Sequence, residues 1–348
     1  MRLLIAGGGT GGHLFPALAV ARAFRAEEPD SAVLLVGRKG GPEERLVPAA
    51  GFDLATVNIR GLDRDAVWKN LALPYLLPAA FQAGLRIVDR FRPDVVLGMG
   101  GYVMAPAVAA ARTRGIPYVL HEKDVRPGLA TRIFAGRAAA ICTTLPGTEK
   151  RITSRRVELT GVPLRDGFAP RTPNVPARRL LITGGSQGAR NLNQAVWSAL
   201  DELCTRFEEV VHVAGGQGAE GAVQHARTRY RGMGFTDDMA ELMAKADLIV
   251  SRAGVGTIAE ATAVGLPMIL IPGTFGGGHQ EENAASMVAA GAAVRVADAE
   301  LSGDTLLATI KGLDDQHLRE MATASASAGR RDAAHRVLKV LHEVVESN

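Results

Sequence analysis

The sequence predicts an α/β protein built from two Rossmann-like lobes, each a parallel sheet covered by helices on both faces and facing the other across a cleft. Three observations lead there. The chain has 348 residues, which suits two domains of about 150–200 residues better than one. Short Val/Ile/Leu-rich runs alternate with helical patterns almost throughout, as in buried parallel strands with crossover helices. Two glycine-rich turns, AGGGTGGHLFP (Ala6–Pro16) and TGGSQGARNLN (Thr183–Asn193), each follow such a run. A turn of this kind brings backbone N–H groups and a helix N-terminus to the carboxyl end of a strand, where phosphates and sugars can approach.

In the first half, strands are expected at Arg2–Ala6, Ala32–Val36, Leu54–Ile59, Asp94–Gly98, Tyr118–Glu122 and Ala140–Thr143, with helices such as Pro16–Glu27 and Pro127–Gly136 between them. The scheme repeats with strands at Arg179–Thr183, Val210–Ala214, Asp247–Ser251, Met268–Ile271 and Ala293–Ala297. Between the halves, Gly161–Ala177 carries Pro163, Pro170, Pro173 and Pro176 without periodicity and reads as a hinge. Arg330–Val345 has Val337, Leu338, Leu341, Val344 and Val345 on one helical face and is expected to pack back across the first lobe. The expected division is therefore 1–163, 164–329 and a terminal helix at 330–348.

Composition narrows the function. The 47% hydrophobic and 22% charged content fits a folded globular protein. A net charge of +4 without any Lys/Arg run argues against a nucleic-acid partner, and is compatible with an anionic substrate or an anionic membrane surface. Cys142 and Cys204 have no metal-type spacing and read as core residues of a reduced, cytoplasmic protein. Met1-Arg2 runs directly into a strand, without a signal-peptide pattern. The uncharged stretches Asn70–Leu85, Val95–Ala111 and Ala261–Gln280 are short or broken by Gly and Pro, so none reads as a bilayer span.

Several motifs carry candidate chemistry. Gly7, Gly9 and Gly12 satisfy G-x-G-x-x-G, but the second strand ends Val36-Gly37-Arg38-Lys39, without the acidic residue an NAD ribose requires. His13 enters the following helix. It is either a backbone-capped residue or a general base at the lip of the cleft, where imidazole can take a proton from a hydroxyl. In SRAGVGTIAEA (Ser251–Ala261), Gly254 and Gly256 open a helix near Thr257 whose free N–H groups could hold a diphosphate. Glu260, placed on the first turn, either complements the helix dipole or accepts both hydroxyls of a ribose. PGTFGGGHQEENA (Pro272–Ala284) offers Gln280 and Asn283 to sugar hydroxyls, or is a plain loop. HEKDVRPG (His121–Gly128) has His, Glu and Asp, but no common metal-site spacing. Val67–Leu85 is rich in Leu and aromatics beside Arg60, Arg64, Lys69 and Arg86. It reads equally as core and as a patch that dips into a membrane interface, formed by Trp68, Leu71, Tyr75, Leu76 and Phe81.

In combination, GGTGGHLFP (Gly8–Pro16), PDVVLGMGGY (Pro93–Tyr102), HE-x-x-x-x-PG, GGSQGA (Gly184–Ala189), Asp237–Met239, AG-x-x-T-x-x-E ending at Glu260, and HQ-x-x-NA (His279–Ala284) closely resemble the MurG family of peptidoglycan glycosyltransferases, nearly end to end. The resemblance implies a GT-B fold without metal or other cofactor. It implies transfer of GlcNAc from UDP-GlcNAc to the undecaprenyl-diphosphate-linked MurNAc-pentapeptide, lipid I, giving lipid II at the cytoplasmic face of the plasma membrane. Other cell-wall synthesis or division proteins are expected partners. By position, Thr10, Gly11 and Gly12 resemble the first-lobe part of the donor site. Arg165, Ser186 and the segment at Thr236 resemble nucleotide contacts. Val255, Gly256, Thr257, Ile258, Ala259 and Glu260 would hold diphosphate and ribose, Gln280 would touch GlcNAc, and His13 would be the base.

One departure stands out. Where the family has HEQN, this chain has His121-Glu122-Lys123-Asp124. Asp124 can accept from a sugar hydroxyl but cannot donate, and it adds negative charge near a diphosphate that Lys123 can offset. A non-hydrolysing UDP-GlcNAc 2-epimerase, and a UDP-sugar-binding relative without transfer activity, are the alternatives.

Overall fold

The computed structural model describes residues 1–9, 11–61, 71, 73–185, 188–236, 238–273 and 278–347. They form two compact units, Met1–Arg165 with Asp332–Asn348, and Asp166–Arg331.

Unit 1 holds a seven-stranded, all-parallel sheet. Its strands are β1 (Arg2–Ala6), β2 (Ala32–Arg38), β3 (Asp53–Val57), β4 (Val95–Gly98), β5 (Tyr118–Glu122), β6 (Ala140–Thr143) and β7 (Val157–Leu159). The order is β3-β2-β1-β4-β5-β6-β7, so the chain winds outward in both directions from the β1/β4 boundary. Ligands of open α/β sheets bind beyond the carboxyl ends of strands at such a reversal. Alternate β1 residues feed opposite faces. Leu3 and Ile5 pack with α1 (Gly11–Glu27) and α14 (Ala333–Glu346), whereas Leu4 and Ala6 join the layer of α3 (Leu73–Phe91), α4 (Ala105–Arg114) and α5 (Leu129–Phe134). Val337, Leu338, Val340, Leu341 and Val344 of α14 are buried, so the final helix completes the first unit's core. An Arg156–Glu343 ion pair ties it to the sheet edge.

Unit 2 has a six-stranded parallel sheet ordered β10-β9-β8-β11-β12-β13. The strands are β8 (Arg179–Thr183), β9 (Glu209–Val213), β10 (Tyr230–Met233), β11 (Leu248–Ser251), β12 (Met268–Leu270) and β13 (Ala293–Arg295). Its reversal point lies between β8 and β11. Asp247, just before β11, is fully buried and accepts from the backbone N–H groups of Asn174 (2.9 Å), Arg178 (3.0 Å) and Arg179 (3.0 Å). It also accepts from Asn174 Nδ2 at 3.0 Å and pairs with Arg171. One carboxylate therefore fastens the proline-rich connector to the second sheet.

Several local expectations need correcting. The first long helix starts at Gly11 rather than Pro16, so His13 lies within its first turn. The helix after β11, α10 (Val255–Val264), starts two residues before Thr257, which moves Glu260 into its second turn. The edge strands β7 and β10 were not expected; they are three and four residues long, and only Tyr230 is buried. Cys204 is only half-buried, unlike buried Cys142.

Candidate functional site

In unit 1 the carboxyl ends of β1, β4 and β5 gather the conspicuous residues. The glycine turn after β1 is pulled inward. Gly7 N–H donates to Val36 O at 3.1 Å, and Gly9 N–H donates to the carboxylate of Glu43. Glu43, in the first turn of α2 (Glu43–Ala49), is wholly buried. Its chain fills the space that a Cβ on Gly8, Gly37 or Gly41 would need. Two of the N–H groups expected to face a ligand are thus spent on bracing the turn. Glu43 had no sequence signal beyond its place shortly after Gly40-Gly41.

His13 is half-buried and its ring lies over the turn after β4. A Cβ on Gly100 would come within 3.2 Å of His13 Cδ2, 3.3 Å of Nε2 and 3.4 Å of the His121 carbonyl. Gly100 and Gly101 both have positive φ, +86° and +69°, so the turn can lie flat under the imidazole. Burial, reinforced by the nearby Lys123 charge and opposed by Asp124, lowers the His13 pKa to about 3. His13 is therefore neutral at physiological pH rather than poised near neutrality as the residue type alone suggests.

β5 delivers His121-Glu122-Lys123-Asp124. His121 is buried, its Nε2 donates to Gly161 O at 3.1 Å, and burial brings its pKa to about 4. Glu122 accepts from Asp124 N–H at 3.2 Å and Gly128 N–H at 3.0 Å, pinning the loop between β5 and α5. Lys123 Nζ lies 2.9 Å from Asp124 Oδ2. Arg165 stacks over the Phe15 ring at 5.0 Å, close to the first turn of α1 and the Gly11 backbone.

Unit 2 offers a different edge. In the turn after β8, Gly185 N–H donates to Thr183 Oγ1 at 3.2 Å, and Gly188 approaches Ala214 O too closely for any side chain. Beside it, α10 begins without a side-chain cap. Ile258 N–H makes the helix's first i→i−4 bond, to Gly254 O at 3.0 Å, leaving the preceding N–H groups at an open helix end. A Cβ on Gly254 or Gly256 would meet nothing within 4 Å, so a ligand can reach this backbone. Val255 and Ile258 are buried and can serve a ligand only through their main chain. Glu260 is half-buried. Gln280, in the first turn of α11 (His279–Ala289), accepts from Gly273 N–H at 2.8 Å through Oε1. Asn283 donates to Ala253 O at 3.2 Å and joins α11 to the α10 entrance. Thr236 lies after β10, at the same sheet edge but three strands from β11, where its Oγ1 accepts from Asp238 N–H.

Thr10, Ser186 and Trp68 lie outside the described residues, as do Arg64 and Lys69. Of the apolar patch, Leu71 and Tyr75 are 77% and 83% exposed, while Leu76 and Phe81 are half-buried. Leu71 and Tyr75 therefore lie outside the core. Among the described residues, no three His, Cys, Asp or Glu side chains group as a metal site, and no helix is long and apolar enough to cross a membrane.

Two doubly wound parallel sheets, each with a glycine turn at its reversal point, define a GT-B-type glycosyltransferase fold. A MurG crystal structure from Acinetobacter baumannii matches with TM-score 0.79 at 27% identity, covering 98% of this chain and 99% of that one. A putative UDP-N-acetylglucosamine 2-epimerase from Listeria monocytogenes matches at TM-score 0.74 and 16% identity, covering 100% of this chain and 97% of that one, which is a likeness of fold alone. The glycosyltransferase family 28 N-terminal domain matches residues 3–143, and the family's C-terminal domain matches 179–337. The UDP-N-acetylglucosamine–N-acetylmuramyl-(pentapeptide) pyrophosphoryl-undecaprenol N-acetylglucosamine transferase of Clavibacter michiganensis is 41% identical over 98% of this chain and 96% of its own. The same-named protein of Moorella thermoacetica is 37% identical over the full length of both. The chain belongs to glycosyltransferase family 28.

Proposed function

We propose that this protein transfers GlcNAc from UDP-GlcNAc to the 4-hydroxyl of MurNAc in undecaprenyl-diphospho-MurNAc-pentapeptide. The observation that carries the mechanism is a neutral His13 held over Gly100–Gly101 at the reversal point of the first sheet. His13 accepts the hydroxyl proton as the oxygen attacks the anomeric carbon, and the bond from that carbon to the diphosphate breaks with inversion. UDP departs with the bonding pair. The open N-terminus of α10 supplies aligned N–H groups and a positive dipole end for its developing charge. Glu260 accepts from the ribose diol, Arg165 and the turns after β8 and β10 hold the nucleotide, and Gln280 donates to the sugar. Asp124 accepts from a donor hydroxyl.

The acceptor's lipid calls for work at an anionic membrane surface. Leu71 lies just before α3 and Tyr75 in its first turn, and Leu129 and Ile133 stand one turn apart on α5, all more than half exposed. Both helices pack on α4, so they share one layer of unit 1. Exposed apolar pairs beside Arg86, Arg126 and Arg132 suit peripheral binding at the cytoplasmic face.

The test is transfer of labelled GlcNAc to a lipid I analogue. His13→Ala should lower kcat by about 10²-fold or more while UDP-GlcNAc affinity stays near that of the parent. An unchanged kcat removes His13 from the role of base. Donor binding by the parent protein without transfer would refute the enzymatic reading.

A further inference from the structure

We propose that Lys123 and Asp124 act in this reaction as one coupled pair, in which the ammonium neutralises and aims the carboxylate until a diphosphate draws it away. The inference rests on His13 being the proton acceptor. Its basis is where the fold puts the two charges. The backbone beneath them is fixed, because Glu122 accepts from Asp124 N–H and Gly128 N–H, and the Thr144 hydroxyl donates to Lys123 O. Only the side chains are left to rearrange. They meet at 2.9 Å with 22% and 17% of their surfaces exposed, so their attraction is far less screened than that of a surface pair.

Both charges also lie close enough to His13 to bear on its proton. A Cβ on Gly100 would meet the His13 ring at 3.2 Å and the His121 carbonyl, two residues before Lys123, at 3.4 Å, so His13 and the end of β5 flank the same turn. Lys123 opposes a proton on His13 and Asp124 favours one. Among the described residues, the other ionisable groups there include His121 from β5, which also disfavours the proton, Glu122 beneath Asp124, whose carboxyl burial and the Asp124 charge push up toward the neutral form, and Arg165 over the Phe15 ring on α1. Asp124 alone would repel an incoming diphosphate, and Lys123 alone would hold His13 a poor base. Paired, the two charges largely cancel. Diphosphate oxygens offer Lys123 a stronger partner than one carboxylate. As Lys123 turns to them, Asp124 remains to stabilise the imidazolium that forms when the hydroxyl proton arrives. The diphosphate is that of the nucleotide or of the lipid-linked acceptor.

The experiment compares Lys123→Gln, Asp124→Asn and the double variant in the full-length protein, with thermal melts confirming folding. It measures kcat, both KM values and the pH dependence of kcat. Each single change should lower kcat about ten-fold, and the double variant should fall little further than either single one, since contacting residues that act as a unit are not additive. The acid limb should move to higher pH in Lys123→Gln, where a cation near His13 is lost, and to lower pH in Asp124→Asn. A raised KM for UDP-GlcNAc in Lys123→Gln assigns the diphosphate to the nucleotide, and a raised KM for the acceptor assigns it to the lipid. Multiplicative losses in the double variant, an unmoved acid limb, or neither KM raised would overturn the pair. His13→Ala run alongside separates the two failures: an unchanged rate there overturns the base on which the pair rests, whereas a lost rate there with independent Lys123 and Asp124 effects overturns the pair alone.

Discussion

Substituting Gly100 by Ala isolates the contribution of His13's position. Gly100 has φ +86°, a conformation that costs a residue bearing a Cβ about 1–2 kcal/mol. In a domain of this size, that corresponds to a fall in Tm of about 2–8 °C. The new methyl would also lie 3.2 Å from His13 Cδ2 and 3.3 Å from Nε2, inside ordinary carbon contact. Relieving it moves the ring by roughly 0.3–0.5 Å. Scaled from about 10²-fold per ångström of misplacement, kcat should fall roughly 4- to 10-fold. Gly115 is the control. Its φ is +71° and a Cβ there meets nothing within 4 Å, so Gly115→Ala carries similar strain without touching His13. Transfer kinetics and thermal melts on both variants decide the matter. Equal melting losses with equal kcat would refute the argument that the Gly100–Gly101 turn seats the base.

Asp247→Ala should destabilise the second unit by about 3–5 kcal/mol, because buried N–H groups and the Arg171 guanidinium lose their acceptor. Calorimetry checks this, and a loss below about 1 kcal/mol would show that the connector is held by other means. His212 is buried between the Tyr230 hydroxyl (2.9 Å) and Asn193 Oδ1 (3.1 Å), and burial lowers its pKa to about 4. The unfolded chain therefore binds the extra proton first as pH falls below about 6.5, and this share of stability disappears progressively down to about pH 4. Chemical denaturation of the second unit should lose about 2 kcal/mol from this residue between pH 7.5 and 5, and His212→Gln should flatten that slope. Replacing both Leu71 and Tyr75 by Ser should weaken binding to anionic vesicles with little change in Tm, since both side chains are exposed; unaltered sedimentation with vesicles would count against the patch.

Much of this protein is written locally. Strands Arg2–Ala6, Tyr118–Glu122, Ala140–Thr143 and Arg179–Thr183 lie where their apolar runs end at glycine or polar residues. Such runs need only neighbouring residues to declare a buried strand. The edge strands β7 and β10 escape the same reading, because a short strand buried on few sides has little apolar pattern to display. The start of α3 shows a related limit. Its leucines and tyrosine define an apolar stripe, but sequence cannot say whether a helical stripe meets the sheet or solvent. Leu71 and Tyr75 are exposed, whereas Ala80 and Val88 further along enter the core.

By itself, then, the sequence determined the two parallel α/β units, the glycine turns and the short list of polar residues beside them, because periodicity and turn chemistry are properties of adjacent residues. Tertiary structure decided which groups those turns face. Glu43 takes a backbone donor from a turn 34 residues earlier, Asp247 gathers a connector about 70 residues before it, and Lys123 and Asp124 come to act on His13. None of these partnerships has a periodic signature. Each arises where packed strands bring distant segments to one sheet edge, and burial there makes a single carboxylate or ammonium strong enough to govern its neighbours.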